Sequence, residues 1–152
     1  MTEQNQVHGT CVALDDVGIL LRGMSGSGKS DLALRLIDGG ALLVADDRVD
    51  LIRIQDNLWA KPPEFLAGKL EVRGIGIVSM PFYPRVQIRL VVDLVADRAV
   101  ERLPLDLSVS VLDIAIPCLK LDPFTASAPA KIRARVAALR GHQLKILDPS
   151  RL

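Results

Sequence analysis

Aromatic side chains are scarce in this chain: three phenylalanines, one tryptophan and one tyrosine make up 3% of it. Any core it builds must therefore be aliphatic and alanine-rich. Cysteine is scarcer still, and Cys11 and Cys118 lie far apart in no metal-ligand spacing. In a cytosolic chain they read as reduced, buried small hydrophobes rather than a disulfide. No apolar run approaches the roughly 20 residues that cross a bilayer. The first six residues are polar and carry no basic, apolar leader. Neither sign of charge dominates, since 19 basic residues face 18 acidic ones. That balance argues against a nucleic-acid binder. The remaining class is a cytoplasmic globular protein, and 152 residues at 49% apolar suit one domain with a sizeable core.

What is present is a loop. Gly23-Met24-Ser25-Gly26-Ser27-Gly28-Lys29-Ser30 fits the phosphate-binding template G-x-x-x-x-G-K-[ST] at every fixed position. Its glycines bring backbone N–H groups close to phosphate oxygens with no Cβ in the way. Lys29 would reach the β- and γ-phosphates, and the Ser30 hydroxyl would ligate Mg²⁺. The context is right as well: residues 17–22 read as an apolar strand and 31–38 as a helix stopped by Gly39-Gly40. A helix N-terminus behind the loop adds attraction for anions.

Along the rest of the chain, residues 7–14 read as one strand, joined through Asp15-Asp16 to the strand before the loop. Residues 41–45 and 49–54 read as strands, as do 58–60, 86–92 and 108–116, the last ended by Pro117. The segment 70–78 mixes strand character with two glycines. A final helix carries Ile132, Val136 and Leu139 on its core face, with Ser127 as cap and Gly141 as stop. Its other side sets Lys131, Arg133, Arg135 and Arg140 to solvent, either as a plain hydrated face or as a docking surface. Residues 142–152 form an unassigned tail after a domain spanning 1–141. Two helices against eight or so strands predict a β-rich α/β domain, without the usual alternation of strands and helices.

Asp46-Asp47 ends a buried strand, where an open sheet places its ligand crevice. Adjacent carboxylates point different ways, so one can serve Mg²⁺ while the other accepts a proton from an attacking hydroxyl; a solvated Asp-Asp-Arg turn is the plainer alternative. His8 alone is no more than a strand histidine. Glu71 and Arg73 would share one strand face, as a site or as a surface ion pair that stabilises little.

Together, His8-Gly9, the loop 23–30, Leu43-Val44-Ala45-Asp46-Asp47 and Glu71-Val72-Arg73-Gly74-Ile75-Gly76-Ile77 resemble the catalytic domain of HPr kinase/phosphorylase, in its short single-domain form. That family phosphorylates a seryl residue of HPr, the phosphocarrier of the sugar phosphotransferase system. The resemblance implies a β-rich P-loop kinase fold related to phosphoenolpyruvate carboxykinase, with ATP and Mg²⁺ as cofactors and a hexameric assembly. It implies that Gly23 to Ser30 cradle phosphate, that Ser30 and Glu71 bind Mg²⁺, and that Asp47 of the Asp46-Asp47 pair is the base, with His8 beside it. Arg73 would belong to the catalytic segment, and Arg102 to a further catalytic arginine position. Two departures stand out. Asp31 replaces a family glutamate, and Ile116-Pro-Cys-Leu-Lys-Leu-Asp122 does not match the family's P-V-R-P-G-R-N segment, so the reverse phosphorylase activity is not implied. The competing function is a nucleotide-sensing module that binds ATP and a partner without turnover; a full set of Lys29, Ser30, Asp46, Asp47 and Glu71 argues against it.

Overall fold

Strand β3 (Val17–Arg22) is apolar along most of its length because both of its faces are buried. Its side chains alternate between two cores. Leu20 enters one with Cys11, Val44, Leu51, Leu58 and Val91, whereas Ile19 and Leu21 enter another with Val12, Leu32, Leu36, Leu90 and Ile132. In this computed structural model, which describes residues 2–141 and 144–151, the chain forms eleven strands and two α-helices. Before β3 run β1 (Thr2–His8) and β2 (Thr10–Leu14). After it come α1 (Lys29–Asp38), β4 (Leu42–Ala45), β5 (Arg48–Ile54), β6 (Asn57–Lys61), β7 (Lys69–Val72) and β8 (Gly76–Ser79). The chain continues with β9 (Val86–Leu94), β10 (Leu107–Val111), β11 (Ile114–Leu121) and α2 (Ala128–Arg140). The fold is thus the β-rich α/β domain that the sequence predicts.

Nine strands make one sheet, ordered β1-β5-β6-β9-β3-β2-β4, with β11 and then β10 joined through β9; β7 and β8 form a separate hairpin. One edge of β9 pairs with β3, and the other pairs first with β6 at Val86 and Gln87, then with β11 from Val91 to Leu94. The sheet forks there. The first core fills the space between the branches, and the second lies under α1 and α2. Gly18 permits the contact of β3 with β9, since a Cβ there would stand 2.5 Å from the Gln87 carbonyl oxygen.

Strand directions place the site. β9 is parallel to β3 and β11 to β9, while β4 and β3 are each antiparallel to β2. The carboxyl ends of β3, β4, β9 and β11 therefore share one edge of the sheet, where ligands of open α/β sheets bind.

Several expectations change. The strand expected over residues 7–14 breaks at Gly9, and its halves pair with different partners: β1 with β5, β2 with β3. The strand expected over 108–116 is a hairpin turning at Leu112 and Asp113, both at positive φ. Pro117 does not end it but lies inside β11, where only β10 pairs alongside, so its missing N–H breaks no two-sided ladder. Ser127 makes no side-chain cap. Ile132 and Val136 are buried as expected, and Lys131 is exposed as expected, yet two of the basic residues of α2 are engaged. Arg133 donates to the Leu36 carbonyl at 3.5 Å, and Arg140 pairs with Asp16 at 3.0 Å and Asp15 at 3.4 Å. These arginines fasten α2 to α1 and to the β2–β3 turn. Within the expected tail, residues 142, 143 and 152 lie outside the described residues, and Pro149–Arg151 form one 3-10 turn.

At the ends of β3 and β9, Arg22 grips Asp93 with two hydrogen bonds, Nε to Oδ1 at 2.8 Å and Nη2 to Oδ2 at 3.1 Å. The Cys118 thiol of β11 donates to the same carboxylate at 3.4 Å. Burial, and then the adjacent Asp93 charge, push that thiol up to about 11, so it stays protonated. Cys11 is buried and also raised by desolvation. Burial disfavours the Asp93 carboxylate, but the hydrogen bond and charge of Arg22 outweigh it and hold the carboxyl below its ordinary 3.8. A depressed folded-state value contributes stability that is complete above about pH 4 and is lost as pH falls further. Asp93→Asn should therefore unfold more easily than wild type at pH 7, with the gap closing in acid. Thermal melts across pH check this, and a gap that stays constant down to about pH 2 would refute the pairing energy.

Candidate active site

The loop after β3 turns back at Ser27, whose N–H donates to the Met24 carbonyl at 3.0 Å. Lys29 spans the turn: its Nζ donates to the carbonyls of Gly23 at 2.8 Å and Met24 at 2.9 Å, and lies 3.4 Å from Ser27 Oγ. The loop is thus held as a ring around its own ammonium. Gly28 closes it at the start of α1 with φ of 95°, which an L side chain would resist. The first N–H groups of α1 have no partner within the helix and face the same side as the dipole's positive end.

Asp46 and Asp47, although adjacent, have opposite environments. Asp46 is only 7% exposed. Its Oδ1 accepts from the Thr10 hydroxyl at 2.9 Å and the Ser30 hydroxyl at 2.8 Å, and its Oδ2 from the Glu71 N–H at 3.3 Å. Asp47 has φ of 69°, and this left-handed twist turns the next carboxylate outward, where its side chain is 69% exposed. Its carbonyl accepts from the Gly9 N–H at 3.2 Å, which seats the β1–β2 break against it. His8 consequently stands beside it, Nδ1 to Oδ1 at 3.7 Å.

These groups open on one cleft of about 1100 Å³. The loop 23–26, Gly28 to Asp31, His8, Thr10, Asp46 and Asp47 line it, with residues 71–76 and Phe124 on the other walls. Glu71 and Arg73 both reach the cleft but do not share a strand face: β7 ends at Val72, and Arg73 lies in the turn to β8. Gly74 at φ of 89° makes that turn. Arg102 is not brought to the cleft; it stands exposed on the segment before β10 and is absent from the lining. Among the described residues no three His, Cys, Asp or Glu side chains form a metal cluster. The nearby donors, Ser30, Asp46 and Glu71, are all hard oxygens, the set that serves Mg²⁺ when phosphates complete its shell.

Sequence reasoning passed over Thr10 and Phe124. The signal for Thr10 is a hydroxyl that is fully buried in an apolar strand. For Phe124 it is an aromatic placed at a strand end, Asp122-Pro123-Phe124, in a chain with few aromatics.

The family model for the HPr Serine kinase C-terminal domain matches residues 1–145. The chain belongs to that family. An HPr kinase/phosphorylase from Acidovorax is 36% identical over 157 residues, covering 91% of this chain and 49% of its own length. One from Streptococcus thermophilus is 44% identical over 81 residues, covering 53% of this chain and 26% of its own. The chain thus spans about half or less of the length of these curated relatives. Among solved structures, the HPr(Ser) kinase/phosphatase from Coxiella burnetii superposes with a TM-score of 0.80 at 28% identity, covering 90% of both chains. That neighbour shares the β-rich HPr kinase fold.

Removing the Asp46 carboxylate strands a buried Thr10 hydroxyl and the Glu71 N–H. Asp46→Ala should therefore cost roughly 1–3 kcal/mol of stability. Asp47→Asn, at an exposed position whose φ asparagine tolerates, should shift it by less than about 0.5 kcal/mol. Urea midpoints of the two variants check the contrast, and equal midpoints would contradict it.

Proposed function

We propose that this chain is an ATP- and Mg²⁺-dependent protein serine kinase whose substrate is HPr. The observation that carries the reading is the solvent-facing Asp47 with His8 at 3.7 Å, on the same cleft as a complete phosphate loop. A module that only senses nucleotide has no need of an open carboxylate there.

In this reading the loop N–H groups and Lys29 hold the β- and γ-phosphates and balance the charge that develops on the transferred group. Ser30 and Glu71 would hold Mg²⁺, which offsets phosphate charge and aligns the triphosphate. Asp46 fixes the Ser30 hydroxyl and the Glu71 backbone from behind. Asp47 takes the proton of the seryl hydroxyl as its oxygen bonds to the γ-phosphorus and the bond to the ADP oxygen breaks. His8 positions Asp47, and Arg73 extends from the hairpin turn toward the same reacting group. Burial of Asp46 supports giving the base role to Asp47, since Asp46 is only 7% exposed and already accepts three internal hydrogen bonds, whereas Asp47 faces solvent. The reverse dephosphorylation is not included, because the segment at 116–122 departs from the family pattern.

The same reading takes the protein as cytoplasmic and homo-oligomeric; no helix among the described residues is long and apolar enough to cross a membrane. Exposed Leu103, Leu105 and Leu107 beside β10 support contacts between like chains.

Two variants test the chemistry with labelled ATP, Mg²⁺ and purified HPr. Lys29→Ala should abolish transfer and weaken ATP binding. Asp47→Asn should lower transfer by about 10²-fold or more, in the range of general-base loss, while ATP still binds. Binding of ATP by wild type without any transfer to HPr would favour the sensing module. Full transfer by Asp47→Asn would remove the base assignment.

A further inference from the structure

Phe124 is 71% exposed, in a chain whose core has few rings to use. Exposure of a phenyl ring is common enough, but this one rests on a fixed backbone. The Phe124 N–H donates to Asp122 Oδ1 at 2.8 Å, and the Thr125 hydroxyl donates to the Asp122 carbonyl at 2.9 Å. From α1, Arg35 donates to the carbonyls of Pro123 and Thr125 while its Nε holds Asp31 Oδ2 at 3.1 Å. The turn after β11 is thus clamped to the helix that starts at the phosphate loop.

The clamp sets the ring against the loop itself. A Cβ built on Gly28 would stand 3.2 Å from two atoms of the Phe124 ring and 3.3 Å from Pro123 Cγ. Gly28 thus lacks a side chain for two reasons, its positive φ and the ring above it. Among the described residues lining the cleft, Phe124 alone carries a phenyl ring, and most of that ring is open. Pro123 is buried and Thr125 is polar, so the ring stands alone on its own turn, and the other exposed apolar groups of the cleft, Met24 and Ile75, belong to the loop and to the β7–β8 turn.

We propose that Phe124 is the shelf on which the purine base of ATP stacks while the loop holds the phosphates. This rests on the reading of Gly23 to Ser30 as the ATP phosphate loop. A rigid, solvent-facing ring beside a phosphate cradle suits a flat aromatic ligand, because stacking gains dispersion and buries apolar area with little ordering cost. A protein substrate would instead need a contiguous apolar surface with polar surroundings to mate with.

The test compares Mg²⁺–ATP with inorganic tripolyphosphate, which carries the phosphates and no base, by calorimetric titration of wild type, Phe124→Ala and Phe124→Tyr. Phe124→Ala should weaken ATP about 5- to 150-fold, the range seen when a stacking ring is removed, and leave tripolyphosphate unchanged. Phe124→Tyr should restore most of the ATP affinity. Equal losses for both ligands would mean the ring only supports the loop, and unchanged ATP affinity with a raised KM for HPr would make it a protein contact; either result overturns the proposal. If wild type binds neither ligand, the phosphate-loop reading itself has failed and the shelf falls with it. If wild type binds both and Phe124→Ala matches it, the loop stands and only the shelf is lost.

Discussion

The buried carboxylate of Asp46 is the constraint on which the site depends. A charge at this depth is costly unless hydrogen bonds replace water, and three do so here. Each comes from a different part of the chain: Thr10 from β2, Ser30 from the start of α1, and the Glu71 N–H from β7. Folding cannot satisfy the carboxylate without bringing all three together. The phosphate loop, the strand end and the β7–β8 hairpin are therefore assembled by one polar contact set, around which apolar burial then supplies most of the stability.

Beneath that contact, strand direction does the rest. Four strands that point the same way deliver four connections to one edge, and each brings a different chemistry. The connection after β3 brings N–H donors and an ammonium, and that after β4 the carboxylates. The end of β9 carries Asp93, which binds Arg22 below the loop, and the connection after β11 carries Phe124. The Arg22–Asp93 pair and the Cys118 thiol cross β3, β9 and β11 at the level where the loop begins, so the floor of the site is fixed laterally.

How much of this was legible in the sequence follows the range of the interactions. The phosphate loop is local, since its glycines, Lys29 and the flanking strand and helix lie within about two dozen residues, and the structure keeps them together. The Asp46-Asp47 pair was legible as a strand-end pair, but the division between a buried and an exposed carboxylate was not. That division depends on Thr10 and on the φ of Asp47, neither of which the pattern prints. Gly9 hid a change of pairing partner, because β1 and β2 together alternate as one strand would. Leu112-Asp113 hid a hairpin, because a leucine at positive φ is not a turn signal. Arg133 and Arg140 read as solvated cations on helical spacing, yet their partners, the Leu36 carbonyl and Asp15-Asp16, come from about a hundred residues away. Arg102 was placed by resemblance alone, and it stands exposed outside the cleft lining.

The contrast between the two aspartates also explains why they can be neighbours. Both line the cleft, yet one is buried and the other is exposed. Here the backbone separates them: a left-handed residue at 47 reverses the direction in which the side chain leaves the chain, so the pair straddles the wall between core and cleft. The inner carboxylate accepts from three fixed donors, and the outer one has solvent and His8. One strand end thus carries a carboxylate tied to the Ser30 hydroxyl and the Glu71 backbone and another that is open to solvent beside His8, a split that a single aspartate could not provide.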